Sequence, residues 1–107
     1  MNDSEFNQQI DALLLRVEAQ AEKLAEQLDE DMDWESGQGM LRLDFPRGKL
    51  IFSRQSAVHQ LWLAAPDTGY HLSWDGKDWR CDKTGESLAS LVSRYSKQLC
   101  GRAIELD

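Results

Sequence analysis

No run of apolar residues in this 107-residue chain approaches the ~18 that a membrane span requires. No secretory leader is expected from the opening Met1-Asn2-Asp3-Ser4-Glu5, which is acidic where a signal peptide is basic and then apolar. The expectation is a protein made and kept in the cytoplasm, with no membrane partner. Cysteine is scarce. Cys81 and Cys100 lack Cys-x-x-Cys spacing and a clustered histidine, which argues against a zinc site. In a cytosolic chain they read as free thiols rather than a disulfide. The sequence has no Walker loop, no dinucleotide fingerprint and no Asp-x-Asp-x-Asp-Gly calcium loop. Its two histidines, His59 and His71, fall on separate predicted strands, so no nucleophile–base pair can be assembled. Bases are outnumbered, 12 against 19 acids, for a net charge of −7. A phosphate-binding surface needs the opposite balance, so nucleic acid is not an expected partner.

What is present describes one folded domain over residues 1–107. Hydrophobic residues make up 41% of the chain and tryptophan occurs four times. Disordered chains are poor in aromatics, and this length supports a single core. The charge is lopsided. Residues 1–35 hold eleven acids and two bases, and the rest holds eight acids and ten bases, for nets of −9 and +2. Such a field keeps a protein soluble or steers a cationic partner toward one end of it.

The first segment has the spacing of a long amphipathic helix. Phe6, Ile10, Leu13, Leu14, Val17, Ala21, Leu24 and Leu28 recur every three or four residues, with Asp3 or Ser4 as the predicted cap. At about 100° per residue, Glu18, Glu22 and Glu26 form a second stripe roughly 120° from the apolar one, with Asp11 and Asp29 close to it. Like charges at i, i+4 disfavour a helix by about 0.2–0.5 kcal/mol per pair. A merely solvated helix would more often interleave lysine, and only Lys23 interrupts residues 18–35. The pattern favours a functional acidic face.

The middle of the chain alternates with period two. Met40–Phe45, Lys49–Arg54, His59–Ala64, Tyr70–Trp74 and Asp78–Asp82 read as strands. Asp33–Ser36 is a further short candidate, with Gly37-Gln38-Gly39 as its turn. Short hairpin connections make the sheet antiparallel. Leu88, Leu91, Val92, Tyr95 and Leu99 then mark a second helix between Ser87 and Gly101. Two amphipathic helices share a core with one meander only by covering the same sheet face. The predicted fold is therefore α+β, a two-layer α–β sandwich with N- and C-terminal helices on one face of an antiparallel β-sheet. The other face is left to water. Parity puts Leu61 and Leu63 toward the helices and Gln60 and Trp62 on that open face. Trp62 is then either a binding hot spot or a residue packed against a neighbour. Trp74 and Trp79 read as core or rim, and the pattern does not place Trp34.

Carboxylates on a helix face suit hard cations such as Mg²⁺, Ca²⁺, Mn²⁺ and iron. With no preformed cage, binding should be weak, multi-site and poorly selective. Chemistry alone does not single out iron.

Along nearly its whole length the chain resembles the frataxin family, in particular its bacterial members. The resemblance runs from Met1-Asn2-Asp3-Ser4-Glu5-Phe6 through Asp31-x-Asp33-x-Glu35 to Arg54-Gln55 and His59-Gln60-Leu61-Trp62-Leu63-Ala64. It continues in Gly69-Tyr70-His71, Gly76-x-x-Trp79, Cys81-Asp82 and Gly85-Glu86-x-Leu88. The stretch from Arg54 to Glu86 is specific; the acidic helix alone would be weak evidence. The resemblance implies the same sandwich and a role in iron–sulfur cluster assembly. It implies weak binding of Fe²⁺ or Fe³⁺ at Glu18, Glu22, Glu26, Asp29, Glu30, Asp31, Asp33 and Glu35, other divalent cations being able to compete. It also implies docking of this ridge, through Glu18 and Glu22, on a basic surface of the cysteine desulfurase. Gln60 and Trp62 would face the desulfurase–scaffold complex.

Two positions depart from the family pattern. Ser53 stands where many frataxins have Asn, and Ala19 and Ala25 replace further acids of some bacterial relatives.

Three functions follow in order: an iron-responsive regulator of the desulfurase, an iron chaperone or store serving the scaffold protein, and a ferroxidase. The last would need Glu-x-x-His motifs of the di-iron type, which do not occur, so a non-enzyme is expected. The charge favours a monomer when metal is absent.

Overall fold

A computed structural model of the chain describes residues 1–106. Helix α1 (Asp3–Gln27) is followed by six strands and helix α2 (Leu88–Cys100). The strands are β1 (Asp33–Gly37), β2 (Met40–Phe45), β3 (Gly48–Gln55), β4 (Gln60–Ala64), β5 (Gly69–Trp74) and β6 (Trp79–Cys81).

Helix α1 buries Phe6, Ile10, Leu13, Val17, Ala21 and Leu24, the residues that the 3.6-residue turn returns to one face. Leu14 and Leu28 lie at the margin of the stripe, half-buried. The cap is Asn2 rather than Asp3 or Ser4. Asn2 stays extended, and its Oδ1 accepts from the Glu5 amide at 2.8 Å. Asp3 is already helical, which frees its carboxylate for His59. At its other end the helix stops at Gln27, with Leu28 extended and no base in the last turn. The acids from Glu26 to Asp31 oppose the negative end of the helix dipole there. Asp29 therefore leaves the line of Glu18, Glu22 and Glu26.

The sheet runs in the order β1-β2-β3-β4-β5-β6, antiparallel throughout. Segment 33–37 is a full edge strand. Gly37 pairs with Met40 across a two-residue loop, Gln38-Gly39, whose φ values of 51° and 79° match the strand twist. At the next hairpin Gly48 holds φ 153°, and a Cβ there would lie 2.9 Å from Leu99 Cδ2. A side chain at that position would force the Leu99 side chain of α2 to shift, in a backbone conformation that L residues rarely adopt. The reversal from β3 to β4 uses a 3₁₀ turn, Ser56–Val58, closed by His59 in left-handed backbone (φ 50°, ψ 48°). His59 is thus not on β4, contrary to the alternation pattern. Its ring stacks on Phe6 with centroids 5.0 Å apart, and its Nε2 lies 2.6 Å from Asp3 Oδ1.

Alternate strand residues point to the helices. Leu41, Leu43, Phe45, Leu50, Phe52, Leu61, Leu63, Tyr70, Leu72, Trp79 and Cys81 are all buried, with Leu88, Leu91, Val92, Tyr95 and Leu99 from α2. Each fully buried large side chain contributes about 1.5–3 kcal/mol. The result is the expected two-layer sandwich. Ser87 and Gly101 bound α2 as expected: Ser87 Oγ accepts from the Ser90 amide, and Gly101 closes with φ 82°. One part of the core lies beyond the periodic pattern. Ile104 and Leu106, after α2, are buried. The Ile104 amide donates to Ser96 Oγ at 2.7 Å, and that hydroxyl donates to the Val92 carbonyl, also at 2.7 Å.

Candidate functional site

The acidic face divides across an edge of the sandwich. Glu18, Glu22 and Glu26 stand on α1, off its buried stripe, Glu18 half-buried and the other two exposed. Asp29, Glu30 and Asp31 occupy the exposed connection to β1. Asp33 and Glu35 are exposed on β1, but parity turns them to the far side of the sheet, because Trp34 between them pairs with buried Leu43. Trp34 is thereby placed under α1, half-buried. The eight predicted positions thus form a continuous rim with two aspects rather than one flat stripe.

Few of these carboxylates have partners. Glu18 Oε2 accepts from Ser36 Oγ at 3.2 Å, tying the helix to β1. Glu35 lies 3.7 Å from Arg42 Nη1, and Arg42 Nε also donates to Asp44 at 3.1 Å. The side chains of Glu22, Glu26, Asp29, Glu30, Asp31 and Asp33 form no hydrogen bond or ion pair among the described residues. One acid missed by pattern reading extends the rim. Asp44 sits opposite Asp33 in the β1–β2 register, so two carboxylates face each other with Arg42 beside them. Period-two pairing of the two segments was the signal that could have found it. At the other end, Asp11 is engaged: Arg54 reaches across from β3, donating through Nη2 to Asp11 and through Nη1 to Asn7 Oδ1 at 2.6 Å.

The donor set fits a hard cation, since carboxylate oxygens are the ligands such ions take. Its geometry is open. Among the described residues no three His, Cys, Asp or Glu side chains come together in a group that could hold a metal ion. The rim therefore offers single and paired carboxylates and a strong field, not a cage.

The open sheet face is built differently. Its cross-strand register places Met40, Ser53, Trp62 and His71 side by side, and Gln55, Gln60, Ser73 and Arg80 in a second row. Trp62 is half-buried on that face. Its ring stacks on His71 with centroids 4.2 Å apart and planes 8° apart, and its indole N–H donates to Gln60 Oε1 at 2.9 Å. Gln60 Nε2 donates to Asp82 Oδ2 at 2.8 Å, and Ser73 Oγ donates to Asp82 Oδ1 at 2.9 Å. Trp62 is thus outside the core yet held by its neighbours. Ser53 lies next to it, half-buried between Met40 and Trp62. Trp79 is core and Trp74 rim, as expected.

No helix is long and apolar enough to cross a membrane among the described residues. Cys81 and Cys100 are both buried free thiols.

The family model for the frataxin-like domain matches residues 1–102. The structure is similar to a frataxin from Psychromonas ingrahamii, described within the CyaY protein family. The two chains are 30% identical with a TM-score of 0.84, over 100% of this chain and 99% of that one. It also shares its fold with a trimeric frataxin from the yeast Saccharomyces cerevisiae, complexed with ferrous iron. That match has 21% identity and a TM-score of 0.78, over 87% of this chain and 86% of the other.

Proposed function

This chain belongs to the frataxin family, a membership that implies iron binding linked to iron–sulfur cluster assembly, and from that premise we propose that it is an iron-responsive regulator of the cysteine desulfurase. On this reading it is not an enzyme and acts in the cytoplasm. The carrying observation is the run of unpartnered carboxylates from Glu22 to Asp33, which gather along one rim without converging. A dedicated store would surround its ion with ligands, whereas a rim of separate carboxylates suits reversible exchange between iron and a basic protein surface.

The physics of the rim sets how it works. An exposed ion pair contributes about 0–1 kcal/mol, so docking needs several of these acids at once. The field of the −9 segment speeds encounter with a basic surface. Salt weakens both effects, because charges are screened beyond about 8 Å at physiological ionic strength. Fe²⁺ held by the same carboxylates changes the charge that the desulfurase meets, which couples docking to iron supply. Gln60 and Trp62, fixed by Asp82 and His71, supply a stiff second contact toward the scaffold-bound complex, as immobilised Trp side chains do in interfaces.

The test is charge reversal. Glu18→Lys combined with Glu22→Lys should leave the fold intact, since both side chains lie off the buried stripe. Affinity for the desulfurase of the same organism should fall about a hundredfold or more, the scale of several kcal/mol for opposed like charges. Unchanged affinity would move the docking surface elsewhere. Iron transfer to the scaffold without desulfurase binding would favour a chaperone role instead.

A further inference from the structure

We propose that the cleft between α1 and the β1–β2 hairpin is a socket for one large apolar side chain of the basic partner that docks on the acidic rim. The inference rests on the rim-docking reading and adds what holds the partner once charge has brought it in.

Helix α1 carries one large apolar residue that its core does not use. Leu15 is 67% exposed, and Met40 at the start of β2 is 47% exposed. A lone exposed leucine needs no explanation. These two, however, line the same open cleft of about 390 Å³, which half-buried Leu14 and buried Leu41 also line. The opposite wall is the β1–β2 hairpin, and Gly37 keeps it bare: a Cβ there would meet nothing within 4 Å. Leu14, Leu15, Met40 and Leu41 give the concavity an apolar part beside the polar side chains of Asp11, Glu18, Ser36 and Arg54, and methionine adapts its shape to what enters.

The surrounding charge states what kind of partner fits. Asp11 and Glu18 line the cleft, and Glu22 follows one turn on. The one cation in the lining, Arg54, is committed to Asn7 and Asp11. An occupant must therefore bring an apolar side chain flanked by Lys or Arg. A second copy of this chain would set one −9 segment against another, which electrostatics opposes. Anionic surfaces are repelled for the same reason. Met40 also stands beside Ser53 and Trp62 on the open face through the sheet register. The cleft thus joins the rim to the second proposed contact.

Rim charges govern chiefly the association rate, whereas a desolvated anchor governs dissociation. Leu15→Gln and Met40→Gln, each assayed against immobilised desulfurase of the same organism, should speed dissociation about tenfold, the scale of an interface hot spot. Association rate, salt dependence and melting temperature should stay as in the unaltered chain. Leu15→Met should keep the slow dissociation. Glu18→Lys should instead slow association. Unchanged dissociation in both glutamine variants, with Glu18→Lys still impaired, overturns the socket and leaves rim docking standing. No binding by the unaltered chain overturns both. A dimer in sedimentation that Leu15→Gln dissolves would assign the cleft to a second copy and overturn the proposal as well.

Discussion

The acidic rim and the open sheet face are the two exposed regions of this sandwich that carry function in our account, and they are built on opposite principles. Along the rim, charge accumulates and bonding is sparse: Glu22, Glu26 and Asp29 to Asp33 have no side-chain partner among the described residues. Around Trp62 on the open face bonding accumulates, with Trp62, Gln60, Ser73, Asp82 and His71 in one network of stacking and hydrogen bonds. Free carboxylates give reach and responsiveness to ions. A locked aromatic gives shape. A protein that must be captured quickly, respond to a metal and still be seated in one orientation needs both.

That contrast can be broken experimentally, most severely at the rim. The Glu18→Lys, Glu22→Lys double variant should lose desulfurase binding about a hundredfold or more while its urea midpoint stays put. If stability fell as far as affinity, the rim would be structural and the contrast would collapse. Trp62→Ala should divide its effect. It should lower stability by about 1–2 kcal/mol, near the worth of one aromatic stack plus partial burial, and not by the 3–5 kcal/mol typical of a core Trp. A loss at the core scale in urea denaturation would show that the open face is not open. Asp82→Ala removes the acceptor shared by Gln60 and Ser73 and should destabilise by about 0.5–1.5 kcal/mol. Trp62 fluorescence should shift as its indole loses a fixed partner. An unchanged spectrum would mean that stacking on His71 suffices without the network.

The smallest effect lies at the end of the open face and depends on pH. The amides of Asp78 and Lys77, then Arg80, hold the Asp75 carboxyl below its ordinary range. A lowered folded pKa stabilises the fold above the unfolded carboxylate pKa of about 3.9 and loses that contribution as pH falls through the folded value. Asp75→Asn should therefore lower the melting temperature slightly at neutral pH, with the gap closing in acid. A gap that widened in acid would reverse this assignment.

Much of this architecture is legible in the residues themselves. The 3.6-residue stripe of α1 and the two-residue alternation of Leu41, Leu43, Leu61 and Leu63 define faces, and faces define a sandwich. Parity alone sends Trp62 to the open side. What escapes reading is set by contacts between distant segments. His59 continues an alternating pattern, but the chain must reverse before β4, and left-handed backbone stacked on Phe6 accomplishes it. Asn2 precedes two equally good capping residues, and the cap goes to the residue that leaves Asp3 free for His59. Ile104 and Leu106 have no period because a two-residue signal carries none, yet Ser96 pins their segment to α2. The rim was visible as composition. Its division into two aspects, and the cleft beside it, required the register of β1 on β2.

The most direct test of the account is the affinity of this chain for the cysteine desulfurase of its own organism, measured at low and at moderate salt, each with and without Fe²⁺. Rim docking predicts binding that weakens steeply with salt and changes when Fe²⁺ is added. Binding that ignores both salt and iron would contradict the claim that the carboxylate rim is where this protein meets its partner.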